Sequence, residues 1–168
     1  MRNADLAVHP LVRERYPVLS QALLAGARTV PIPGFHRLPG DRPDRDTDLD
    51  PDDLIVAVEL AAAAPRSGYR KVRERASYSF AVVSVAAVVT VGDDRRVEEC
   101  RIALGGVAHA PWRAHQAEAA LIGAPATRES FAAAAVAELA LAEPLRDNAY
   151  KVALTRNVLV NTLAELCA

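Results

Sequence analysis

The sequence predicts an α+β fold: an antiparallel three- to four-stranded sheet packed on about three helices, preceded by an N-terminal helical extension. Three features lead there. A charged, alternating stretch over residues 69–75 and a β-branched run over residues 80–91 read as neighbouring strands. The longer run would span about 40 Å if fully extended, and it is expected to be the central strand. Gly92-Asp93-Asp94 then forms a tight turn, and residues 97–106 return as the antiparallel partner. Helical signals fill the rest of the chain, so strands precede helices without the strand–helix–strand alternation of a parallel sheet.

The elements follow in order. Residues 9–26 read as helix broken near Pro17, with Pro10 suited to a first turn and Gly26 to a C-terminal cap. Leu11, Val18, Leu19 and Leu23 supply its apolar side. Residues 29–32 form a short extended piece. From Pro33 to Asp53 the chain carries four prolines and, from Asp41 onward, seven aspartates, which is loop composition with no apolar period. The Asp46-Thr47-Asp48-Leu49-Asp50 spacing suggests the start of a calcium loop and then fails. Pro51 stands where a glycine is needed, and Ala57 stands where a bidentate glutamate is needed. Residues 54–60 read as a strand. After the sheet, one helix is expected over 113–122, ended by Gly123. A second runs from an N-cap at Thr127 to about Ala142, and a third from about Asp147 to Leu166.

Composition narrows the function classes. At 168 residues the chain is long enough for one core plus an extension, and 51% of it is apolar, much of that alanine. Only 5% is aromatic, so Tyr78, Phe80, Trp112 and Phe131 are expected to matter disproportionately to packing. A net charge of -1 gives no electrostatic case for nucleic acid or an anionic membrane. No run approaches the ~20 apolar residues of a membrane helix, and residues 1–20 lack a signal-peptide core; a cytoplasmic protein is expected. Cys100 and Cys167 form no metal-binding or redox spacing, and His9, His36, His109 and His115 have no ligand spacing either, so no metal site is expected. Arg66, Arg70, Lys71, Arg73 and Arg75 form a basic cluster, read as a solvated strand face or a subunit contact.

Several blocks together resemble a known family. They are Phe35-His36-Arg37-Leu38-Pro39-Gly40-Asp41, Asp52-Asp53-Leu54-Ile55, Tyr69-Arg70-Lys71-Val72-Arg73, the stretch from Ala103 to Arg113, and Asn148-Ala149-Tyr150-Lys151. This pattern resembles the FAD-binding (medium) subunit of molybdenum hydroxylases, the xanthine dehydrogenase and aldehyde oxidoreductase group. The resemblance implies a fold like the CO dehydrogenase flavoprotein C-terminal domain over residues 61–168. Residues 1–28 resemble a helical piece of the flavin-binding region, and residues 29–60 a strand and acidic loop leading into a strand.

The same resemblance implies an oxidoreductase component that relays electrons from iron–sulfur centres through FAD to an acceptor. Its partners would be an iron–sulfur subunit and a molybdopterin subunit. It places Leu49 and Ile55 against the isoalloxazine ring and Lys71 beside it as the charged partner of the reduced flavin. Read from the residues alone, Ile55 serves equally as core, Leu49 as a loop anchor and Lys71 as a solvent-facing strand lysine. No catalytic residue is assigned. The two glycine-rich loops that grip the FAD diphosphate in this family have no counterpart here, and two cysteines cannot ligate an iron–sulfur cluster. A shortened subunit, inactive alone, is therefore expected; the alternative is a non-catalytic remnant or subunit-docking module that does not bind FAD by itself.

Overall fold

A computed structural model of the chain describes residues 28–32, 34–58 and 66–168. The helix expected over 9–26 lies outside the described residues. The chain divides into two compact units, Met1–Ala62 and Ala63–Ala168.

In the second unit, β1 (Ser67–Val72), β2 (Val83–Val91), β3 (Val97–Gly105) and β4 (Trp112–Arg113) form one antiparallel sheet in the order β1-β2-β3-β4. Three helices follow: α1 (His115–Leu121), α2 (Arg128–Leu139) and α3 (Tyr150–Leu166). The alternation of β2 and β3 decides which face is covered. Val83, Val85, Ala87 and Val89 share the buried face with Cys100, Ile102 and Leu104. Phe131 and Ala135 of α2, Leu121 of α1 and Leu159 and Leu163 of α3 complete one apolar cluster with these residues other than Val83. Burying side chains of this size contributes roughly 1.5–3 kcal/mol each.

The helix ends follow local chemistry. Thr127 caps α2 by accepting the Ser130 N–H at 3.4 Å, and Gly123 turns the chain after α1 with φ +75°. Two threonines are buried on α3. Each hydroxyl donates to the carbonyl one turn back, Thr155 to Lys151 at 2.7 Å and Thr162 to Val158 at 2.8 Å, so neither polar group is stranded. Arg128 reaches Asn161 at 3.0 Å and ties α2 to α3. No helix among the described residues is long and apolar enough to cross a membrane.

Several expectations need correction. The central strand begins at Val83, not Phe80, because residues 73–82 form a loop closed where the Val82 N–H donates to Val72 at 2.9 Å. Tyr78 and Phe80 therefore stand outside the core, 98% and 96% exposed, and Trp112 is exposed on a two-residue edge strand. Of the four aromatics singled out, only Phe131 is buried. The second helix ends at Leu139, and the third begins at Tyr150, after a turn in which Asn148 Oδ1 accepts the Leu145 N–H at 2.7 Å.

The described part of the first unit is a loop closed on itself. His36 and Thr47 form an isolated bridge, with Arg37 N–H donating to Asp46 at 2.9 Å and Asp48 N–H to Phe35 at 3.0 Å. Four of its seven aspartates are met by its own arginines: Arg28 with Asp53, Arg37 with Asp48, Arg42 with Asp44 and Arg45 with Asp50. The Arg42 guanidinium holds the Asp44 carboxyl below the usual carboxylate range. Residues 54–58, expected to be strand, belong to no ladder among the described residues; residues 59 and 60 are not described. High β-propensity does not make a strand without a partner edge to receive its amides.

Core truncation separates the two kinds of aromatic. Phe131→Ala is expected to cost about 3–5 kcal/mol in urea unfolding, whereas Phe80→Ala stays within about 0.5 kcal/mol of the parent. Equal losses would contradict the placement of Phe80 outside the core.

Candidate functional site

Lys71 lies on β1 and is exposed. The ladder places it beside Ser84, which lies beside Gly105, so these three form one row across the face of the sheet opposite the helices. The next row is Tyr69, Ala86, Ala103 and Arg113, and the third is Ser67, Val88 and Arg101. Small side chains in the middle and long ones at the sides leave an open, mainly apolar groove of about 430 Å³, floored by Ala86, Val88 and Ala103 and flanked by Tyr69, Arg101 and Arg113.

Leu49 and Ile55 belong to the first unit. Leu49 is half-buried in the aspartate loop, its carbonyl accepting from Arg45 at 2.8 Å and its N–H donating to Thr47 Oγ1 at 3.4 Å. Ile55 is exposed, so it is not a core residue of its unit. Lys71 sits on the other unit.

Gly105-Gly106 tests whether these residues can hold FAD. A phosphate-gripping glycine leaves its Cβ space to the ligand. Here that space is taken by the protein itself. A Cβ on Gly105 would lie 2.4 Å from Ser84 Oγ, and one on Gly106, which has φ +76°, would lie 2.7 Å from the Val82 carbonyl. The Gly106 carbonyl is further occupied by Lys151 Nζ at 2.9 Å. Gly106 packs against the backbone of the loop before β2, and Gly105 against the Ser84 side chain on β2. Gly105 and Gly106 therefore offer no cradle for a diphosphate.

Beyond the glycines, two carboxylates fix the chain between β3 and the helices. Glu118 of α1 is buried, accepts the Ile102 N–H at 2.6 Å and pairs with Arg113. Glu138 of α2 does the work of an N-cap for α1, whose own cap residue is Ala114. Its carboxylate accepts from Gln116 N–H at 2.8 Å, Ala117 N–H at 3.0 Å and Trp112 Nε1 at 2.8 Å. Sequence reasoning missed both because the partners are distant in the chain. The only local signal was that α1 begins after an alanine with no capping side chain. Beneath Glu118, burial first and the Glu118 charge second push the Cys100 thiol up to about 12. Cys100 and Cys167 are free and buried thiols.

The sheet, its three helices and the open groove opposite them have a match among known families. Residues 67–166 match the family described as CO dehydrogenase flavoprotein C-terminal domain. The chain belongs to that family, within the FAD-binding subunits of molybdenum hydroxylases. It is 42% identical over 142 residues to the aldehyde oxidoreductase FAD-binding subunit PaoB of Escherichia coli K12, a match covering 82% of this chain and 40% of PaoB. The chain thus spans less than half the length of that relative.

Two solved structures share the fold. The quinoline 2-oxidoreductase of Pseudomonas putida 86 aligns with a TM-score of 0.73 at 19% identity, over 96% of this chain and 70% of that one. The carbon monoxide dehydrogenase of Hydrogenophaga pseudoflava, in a form lacking the Mo-pyranopterin moiety, aligns with a TM-score of 0.70 at 26% identity, over 100% of this chain and 74% of that one.

Two outcomes test the packing around the β3 end. Glu118→Ala leaves the buried Ile102 N–H without its acceptor and is expected to cost about 1–3 kcal/mol in denaturant unfolding; a neutral result would contradict the role given to Glu118. The Cys100 thiol holds its proton more tightly when folded, against an ordinary value of 9.0. Its contribution is therefore complete below pH 9 and is lost as pH rises toward about 12. Cys100→Val should flatten the alkaline loss of stability above pH 9, and an unchanged slope would exclude Cys100 as its source.

Proposed function

We propose that the chain is part of the FAD-binding subunit of a molybdenum hydroxylase complex, supplying its C-terminal domain and not its diphosphate grip. In such a complex the whole subunit relays electrons from iron–sulfur centres through FAD to an acceptor, while an iron–sulfur subunit and a molybdopterin subunit are its partners. The 42% identity to an FAD-binding subunit across 82% of the chain carries this reading. Within it, Leu49 and Ile55 would exclude water from the flavin ring, and Lys71 would place a cation beside it. A cytoplasmic location belongs to the same reading.

A second reading is favoured by one observation: Gly105 and Gly106 are consumed by packing against Ser84 and Val82. On this reading the chain is a shortened, non-catalytic docking module that binds partner subunits without FAD. The two readings agree on the isolated chain and differ in the complex.

Titration of the purified chain with FAD is expected to leave flavin fluorescence and the melting temperature unchanged. A stoichiometric yellow complex would overturn the absence of a diphosphate grip. With the iron–sulfur and molybdopterin subunits added, co-elution is expected; its failure removes the subunit role. Flavin retained in the co-eluting complex and lost with Lys71→Ala selects the first reading, and co-elution without flavin selects the second.

A further inference from the structure

On the sheet face opposite the helices, side chains change in size across the strands. Tyr69 stands on β1, Ala86 and Val88 on β2, Ala103 and Arg101 on β3, and Arg113 on β4. The short apolar residues lie in the middle and floor the groove of about 430 Å³. Small-molecule sites occupy about 300–1,000 Å³, so the groove is of that size. Four strands span about 14 Å across the ladder, and two rows cover about 7 Å along it. A flat ligand of one or two fused rings suits those dimensions. A docked helix, about 10–12 Å in diameter with its side chains, is wider than the two rows.

The two flanks differ in chemistry. Tyr69, 64% exposed, puts a phenol ring on the β1 side. Arg101 and Arg113 put cations on the opposite side. Arg113 is held in place by the buried Glu118, which itself accepts the Ile102 N–H at 2.6 Å; the bond to Arg113 uses Nε, one of five guanidinium donors. Arg101 pairs with Glu99 at 3.0 Å, both half-exposed, a contact that contributes little and exchanges readily with another anion.

We propose that this groove binds an aromatic carboxylate, with its ring on Ala86, Val88 and Ala103 beside Tyr69 and its carboxylate at Arg101 and Arg113. The apolar floor takes the faces of the rings, and the Tyr69 ring adds an aromatic contact at their edge. A carboxylate matches the planar fork of a guanidinium, which a neutral group of the same shape does not. The site is independent of the flavoprotein reading: it uses neither FAD nor a partner subunit, and Lys71 lies in the next row.

The test is titration of the full chain with 2-naphthoate, followed by backbone amide NMR. An open groove implies weak binding, and saturable shifts at Ala86, Val88 and Ala103 are expected with a Kd of about 1 mM. The neutral isostere 2-naphthamide should bind about tenfold more weakly, and so should 2-naphthoate to Arg101→Gln. Acetate, which has the charge without the ring, should produce no saturable shift. Ala86→Phe fills the groove from an exposed position, so it should abolish binding while the amides of α1, α2 and α3 keep their shifts. Shifts that do not saturate by about 10 mM, tenfold above that Kd, overturn the proposal. Equal binding of naphthamide and naphthoate also overturns it, as does binding that survives Ala86→Phe. Shifts at the same residues that grow with protein concentration before any naphthoate is added would assign the face to a second copy of the chain and overturn the small-molecule site.

Discussion

The constraint on which residues 66–168 depend is the single apolar face made by β2 and β3. Alternation along Val83–Val91 and Val97–Gly105 sends one set of side chains to α1, α2 and α3, and leaves the other face lined by Ala86, Val88 and Ala103. A sheet covered on one side needs its helices held at fixed height, and the carboxylates of Glu118 and Glu138 do this. One anchors α1 to the β3 backbone, and the other closes the α1 N-terminus from α2. The same packing draws the β3 end so close to the loop before β2 that a side chain at position 106 would meet the Val82 carbonyl.

That closeness bears directly on function. A pair of glycines at a strand end invites comparison with a phosphate loop, and the distances decide between the two uses. Where an added Cβ would collide with Ser84 and with the Val82 carbonyl, the missing side chain makes room for the protein itself. Leu49 and Ile55 belong to the first unit and Lys71 to the second.

Much of the fold was legible in the sequence because it is written in local or periodic signals. The alternation of residues 83–91, the Gly92-Asp93-Asp94 turn, the Thr127 cap and the Gly123 stop each act within a few residues of themselves. Tyr78 and Phe80 were misplaced because the apolar run from Phe80 to Val91 has no internal mark to show where loop becomes strand. The two-residue strand at Trp112 is too short to have a period. Glu118 and Glu138 find their partners through tertiary structure, which composition does not encode. Residues 54–58 show the opposite failure: the local signal is strong, but pairing is a property of two segments, and one segment cannot announce the other. At the site, the sequence identified the residue types, and the geometry adds what the glycines pack against, Ser84 Oγ and the Val82 carbonyl.

The central claim is that Gly106 is packed against the Val82 backbone and Gly105 against the Ser84 side chain. Native-state hydrogen exchange of the cofactor-free chain measures this most directly. The account predicts slow exchange through β2, β3 and α3, with rates at Gly106 and its neighbours unchanged by excess FAD. Protection at that turn appearing only when FAD is present would contradict it.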